Sequence, residues 1–201
     1  LLETFTGNLF TTASGFRATN EGGILTPALI SIDSGEVTAD HPDSIDLSLV
    51  TSITGDGHIT LTGGVHDLTS LVTMKGSLFV SGLDIPVVSQ LSDIDGASLY
   101  ASNGAVLNLP LVTSYTQDDN NRNYFRSEDA GSQLNLPNLT DITSGSRSTH
   151  TLYFEARNGG KINLPSVDFI DNPGNSAVYL QFDADGTDAR IDLSSITAKI
   201  G

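Results

Sequence analysis

The chain contains no cysteine. That excludes disulfides, thiolate zinc sites and cysteine nucleophiles together. Positive charge is scarce: 9 Lys and Arg stand against 24 Asp and Glu, a formal net charge of −15. Nucleic acids and anionic membranes demand a basic surface, so this balance argues against both as partners. The acidity fits a soluble, extracellular protein. No run approaches the roughly 18 apolar residues of a membrane span, and no secretory signal pattern is visible. Nor is there a 3.6-residue apolar stripe or a concentration of Ala, Leu, Glu and Lys to mark long helices. What remains is a chain of 201 residues, 38% hydrophobic, which suits one domain with a genuine core. Its 20 Gly and 7 Pro favour many short strands separated by turns.

Internal repetition is the informative feature. The clearest copies begin Leu107-Asn108-Leu109-Pro110, Leu134-Asn135-Leu136-Pro137, Ile162-Asn163-Leu164-Pro165 and Ile191-Asp192-Leu193-Ser194. Earlier copies begin at Ile45, at Asp67 and at Leu83. The central apolar residues are Leu47, Leu68, Ile85, Leu109, Leu136, Leu164 and Leu193, and by subtraction they lie 21, 17, 24, 27, 28 and 29 residues apart. A repeat of two packed helices tolerates such drift poorly, whereas a winding of short strands absorbs extra residues in its turns. Apolar-Asx-apolar is a period-2 pattern that points its apolar residues in and its Asn or Asp out. Glycine corners such as Asn103-Gly104, Gly131, Asn158-Gly159 and Asp185-Gly186 supply the positive φ of a tight turn. The expectation is an all-β, right-handed parallel β-helix of about seven coils with three short strands per coil, the hand following from the crossover rule. Residues 1–22 break the repeat and carry Phe5, Phe10 and Phe16; they are expected to form an N-terminal cap on a single β-helix domain spanning 23–201. The abrupt start at Leu1 and the end at Gly201 straight after a repeat suggest a domain of a longer protein with flanking catalytic or surface domains.

Two outward rows follow from the same phasing. Leu78, Val80, Leu99, Ala101, Phe125, Leu152, Phe154, Val178 and Leu180 point inward, which leaves Phe79, Tyr100, Tyr124, Tyr153 and Tyr179 outward in five successive coils. Strands about 4.8 Å apart would make these rings a ladder of roughly 20 Å. Earlier coils carry Thr60 and Ser31 at this position. Arg126, Glu128, Glu155, Arg157, Gln181 and Asp183 share the face. Exposed rings flanked by hydrogen-bonding groups suit a carbohydrate, whose C–H face lies on an aromatic ring while its hydroxyls seek Asp, Glu, Gln or Arg. A row of rings also stabilises parallel strands with no ligand, by about 0.2–1 kcal/mol per pair. The second row is Asp46, Asp67, Asp84, Asn108, Asn135, Asn163 and Asp192. Ladder and turn hydrogen bonds account for it better than calcium, which needs six or more converging oxygens. The acidic loop at Asp118 and Asp119 is the better candidate for a cation, and calcium is the one cofactor left open.

Catalysis finds little support. Asp183 with Asp185, Glu128 with Asp129, and Arg157 or Lys161 are the available acids and bases, but none forms a distinctive constellation. His41, His58, His66 and His150 lack metal-ligand spacing. No Gly-x-Ser-x-Gly elbow or phosphate-binding loop occurs.

The rhythm of Leu49-Val50-Thr51-Ser52-Ile53-Thr54-Gly55, with the later Asn-Leu-Pro units, resembles the repeats of receptor L-type domains and of bacterial cell-surface β-helix proteins. It is also similar to β-helix carbohydrate-binding modules appended to polysaccharide-degrading enzymes. The likeness covers the chain from about residue 24 onward and implies extracellular placement, with a polysaccharide bound on a strand face. The sequence therefore reads as a non-catalytic polysaccharide-binding module using Phe79, Tyr100, Tyr124, Arg126, Tyr153, Glu155, Arg157, Tyr179 and Gln181. The alternatives are a structural or adhesive cell-surface stalk and, less favoured, a polysaccharide lyase or glycoside hydrolase.

Overall fold

A computed structural model describes residues 2–6, 14–83, 86–119, 121–146, 150–171 and 180–196. Among them there is no helix, and the 19 strands form four sheets in which every paired strand is parallel. The largest sheet has eight strands in simple chain order: Gly15–Ala18, Glu36–Ala39, His58–Thr62, Ser77–Ser81, Ser98–Ser102, Asn123–Glu128, Leu152–Arg157 and Leu180–Asp185. A four-stranded sheet joins Thr4–Thr6, Ser31–Asp33, Ser52–Thr54 and Thr73–Met74. A three-stranded sheet joins Ser114–Thr116, Asp141–Thr143 and Phe169–Asp171. The fourth joins Val106–Asn108, Gln133–Asn135, Lys161–Asn163 and Arg190–Asp192. From Val106 onward the chain visits these last two sheets and the eight-stranded one in constant rotation.

Alternation of side chains explains the strands. In Ser77–Ser81, Leu78 and Val80 are buried while Ser77, Phe79 and Ser81 are partly exposed. Parallel pairing then sets like residues level with one another. Val37, Ile59, Leu78, Leu99, Phe125 and Phe154 form one inward row of the eight-stranded sheet, all fully buried. Phe125, Phe154 and Phe182 stack at 4.8 Å spacings. Each such side chain contributes about 1.5–3 kcal/mol by leaving water. The corners are closed by residues at positive φ, as at Asn158 (φ 51°) and Gly159 (φ 92°).

Residues 1–22 were expected to cap the fold. Thr4–Thr6 and Gly15–Ala18 end two sheets as edge strands, with Phe5 and Phe16 4.6 Å apart against the core. Phe10 lies outside the described residues.

One repeat was misplaced by the sequence pattern. The Asx row assumes that Leu83 and Ile85 point inward, but Leu83 is 84% exposed and Asp67 pairs with Val87. Asp84 and Ile85 lie outside the described residues. The buried pair of that repeat is Val88 and Leu91, whose N–H donates to the Val88 carbonyl. The same turn recurs at Thr26/Leu29, Leu47/Val50, Leu68/Leu71, Leu136/Leu139, Leu164/Val167 and Leu193/Ile196, and Leu109/Val112 holds the same place. Successive copies then lie 21, 21, 20 and 21 residues apart as far as Leu109, and 27, 28 and 29 apart beyond it, by subtraction. The period is constant to within one residue as far as Leu109 and then steps up. Nearly all the added residues enter between a strand ending at 116, 143 or 171 and the next strand of the eight-stranded sheet.

The first two of these inserted loops are tied together. Gln117 Oε1 accepts from the Gly145 N–H at 2.9 Å, and Ser146 donates from its N–H and hydroxyl to the Asp119 carboxylate. His150 Nδ1 lies 2.9 Å from the Asp119 carbonyl.

Candidate functional site

The outward face of the eight-stranded sheet carries the rings the sequence placed there, but not as a single row. Phe79 is level with Tyr100, and their rings stack at 4.2 Å and 8°. Tyr124 is level with Tyr153, stacked at 4.8 Å and 6°. Between the two pairs the register steps by two residues, because Tyr100 is level with Arg126 rather than with Tyr124. Tyr100 and Tyr124 are therefore diagonal neighbours, 6.2 Å apart at 30°. Beyond Tyr153 the level position is Gln181, and Tyr179 lies outside the described residues. On the other side Phe79 is level with Thr60 and then Thr38; Ser31 belongs to a different sheet. A shift of two residues preserves the inward-outward alternation, so alternation alone cannot detect it.

Arg126 fills the step. Its guanidinium lies 5.8 Å from the Tyr100 ring centroid and 5.3 Å from that of Tyr124, within cation–π range. Its Nε donates to Glu155 Oε2 at 2.5 Å, and Arg157 Nη2 donates to Oε1 of the same carboxylate at 3.0 Å. Glu155 is buried, so two guanidiniums compensate a carboxylate withdrawn from water. Glu128 is level with Arg157, and Asp183 with Glu155. Burial pushes the Tyr100 phenol above its usual pKa of 10.0, against hydrogen bonding from Ser98 and the charge of Arg126.

A cleft opens beside the rings. Tyr124 turns one face to Tyr153, but the residue level with it on its other side is Ser98, whose hydroxyl accepts from the Tyr124 N–H. Ser77 and His58 continue that level. Small side chains next to a large ring leave a cavity of about 300 Å³, bordered by Tyr100 and Tyr124 and faced by Asp56, His58, Asn121 and Arg122. That is the lower end of the range for small-molecule sites, roughly 300–1,000 Å³. Asp56 and Arg122 were absent from the sequence reading, and Asn121 entered it only as part of the acidic loop with Asp118 and Asp119. The signal that could have located them is the step in repeat length, since Asn121 and Arg122 belong to the first inserted loop.

The remaining candidates serve other ends. In the Asx row, Asn135 Nδ2 donates to Asn108 Oδ1 at 2.6 Å and Asn163 Nδ2 donates to Asn135 Oδ1 at 2.5 Å. Asp46, Asp67 and Asp192 accept from the backbone N–H two residues ahead. Asp118 and Asp119 bind within and between the inserted loops. Among the described residues no group of three or more His, Cys, Asp or Glu is arranged to hold a metal ion. His66 Nε2 lies 2.9 Å from the Thr62 carbonyl.

Comparison with known proteins finds no matching family model, no similar curated protein and no similar solved structure.

Proposed function

We propose that the chain winds as one right-handed parallel β-helix and that the outer face of its eight-stranded sheet binds polysaccharide without catalysis. The winding is supported by the constant rotation of strands among sheets and by the uniform parallel pairing. The single observation that carries the binding reading is the cleft beside Tyr124. One face of that ring adjoins a cavity whose polar border offers Asp56, His58, Asn121 and Arg122 to hydroxyls. The stacked inner faces of the ring pairs leave no room for a sugar, so binding belongs at the cleft and along the ring edges, with Arg126, Glu155 and Arg157 holding the rings in place. Extracellular placement, and service to neighbouring catalytic or surface domains, belong to the same proposal and rest on the acidity and on the resemblance of the repeats.

Affinity electrophoresis against soluble plant and algal polysaccharides, with and without calcium, tests this reading. One glycan class is expected to retard the protein. Tyr124→Ala is expected to abolish the retardation, and so is Ser77→Tyr, which places a ring in the cleft. Retardation by no polysaccharide would sink the proposal.

A second reading is favoured by the near-parallel stacking of Phe79 on Tyr100 and of Tyr124 on Tyr153: a structural or adhesive segment in which the rings only stabilise the sheet. It predicts that no glycan binds and that Tyr153→Ala lowers the melting temperature.

A further inference from the structure

Where the first inserted loop rises beside the short corners of the preceding repeats, a second cavity of about 380 Å³ opens. Asp56, Gly76, Gly96 and Asn121 border both this groove and the cleft beside Tyr124, so the two are continuous. Its floor is bare backbone. Gly76 sits at φ 140°, and a Cβ there would meet the Gly57 carbonyl oxygen. Its wall is the loop that begins at Gln117, the first extra residues of the repeat. The wall is braced: Asp95 Oδ1 accepts from the Thr116 N–H at 2.7 Å, and Gln117 Nε2 donates to the Asn121 carbonyl at 3.2 Å. Asn121 Nδ2 reaches Asp118 Oδ2 at 3.4 Å within the loop and Asp56 Oδ1 at 3.5 Å across the groove.

We propose, resting on the glycan reading above, that this groove is an extension subsite for a neutral saccharide. The chain then leaves Tyr124 across the corner of the fold instead of following the ring ladder. Direction follows from continuity and depth: the ladder beyond Tyr124 is occupied by stacked rings, whereas the groove is open. Ligand class follows from the lining. Asp56, Asp95 and Asp118 offer acceptors and the exposed Lys75 offers donors, the mixture that sugar hydroxyls require. Three carboxylates against one ammonium repel a uronate or a sulfated sugar. The carboxylates are spread along the groove and do not form a metal cluster among the described residues, so a dispersed set of hydroxyls fits them better than a cation.

Isothermal titration calorimetry of the full 201-residue chain tests this with laminari-, cello- and xylo-oligosaccharides of two to six units, and with polygalacturonate as the acidic probe. Affinity in one neutral series is expected to rise with length beyond two units. Lys75→Ala removes an exposed side chain that borders the groove and not the cleft, and is expected to erase about tenfold of that gain, the loss of roughly one hydroxyl hydrogen bond, while leaving the disaccharide affinity unchanged; Asp56→Ala, at the junction of groove and cleft, is expected to weaken both the length gain and the disaccharide. Both variants keeping the full length gain, or a wild type with no gain beyond two units, overturns the extension and leaves the cleft reading standing. Polygalacturonate binding as tightly as the neutral chains overturns the assignment of ligand class. A wild type that binds no oligosaccharide removes both proposals.

Discussion

Replacing Glu155 by alanine should be the most damaging single change on the outer face. Its side chain is only 6% exposed and accepts from Arg126 and Arg157. Without it, two guanidiniums face each other across adjacent strands. Breaking a fully buried pair costs about 3–5 kcal/mol. Here the arginine side chains are 29% and 37% exposed, so water rehydrates them in part. Asp183, level with Glu155, is a like-charge neighbour whose relief returns a few tenths of a kcal/mol. The expected loss is therefore about 2–3 kcal/mol. For a chain of this size each kcal/mol moves Tm by about 2–4 °C, so Tm should fall by roughly 4–12 °C. Glu155→Gln keeps an acceptor but not the charge and should lose about half as much. Urea and thermal unfolding of both variants, repeated at high salt, provide the assay. Because the carboxylate is withdrawn from water, salt should erase little of the difference. A loss below about 0.5 kcal/mol for Glu155→Ala, or one that vanishes at high salt, would refute the view of this triad as a buried bracket.

Tyr115 donates its buried hydroxyl to the Ala97 carbonyl at 3.0 Å, so Tyr115→Phe should cost about 1 kcal/mol in urea unfolding without changing the fold. The reassigned repeat makes opposite forecasts for two nearby residues: Val88→Ala should cost about 2 kcal/mol, whereas Leu83→Asp should stay within about 0.5 kcal/mol. Hydrogen bonds from the Ser48 hydroxyl and N–H hold the Asp46 carboxyl below its ordinary 3.8. A depressed folded-state value adds stability above the unfolded pKa, and that stability is lost as pH falls through the folded one. Ser48→Ala should raise the Asp46 pKa towards 3.8 in an NMR titration and shift the acid-induced loss to higher pH; an unchanged titration would count against the turn as its cause.

What the sequence determined by itself was parity. Whether a side chain in a short strand faces the core or the solvent depends on its immediate neighbours, and Leu78-Phe79-Val80 or Leu152-Tyr153-Phe154 declares this locally. The all-β character and the glycine corners were legible for the same reason, since each needs only a few adjacent residues. Register was not local. Sliding a strand by two residues keeps every side chain on its own face, so nothing in the pattern distinguished Tyr100 beside Tyr124 from Tyr100 beside Arg126. Leu83-Asp84-Ile85-Pro86 imitated the later repeats, yet the fold buried Val88, because pairing of Asp67 with Val87 set the level of that segment. The cleft was beyond the reach of any local rule. Asp56 and Asn121 are 65 residues apart in the chain and meet only because parallel stacking brings an early corner beneath a late loop. Long-range pairing, not composition, decided which polar groups surround Tyr124, and with them the chemistry the face presents.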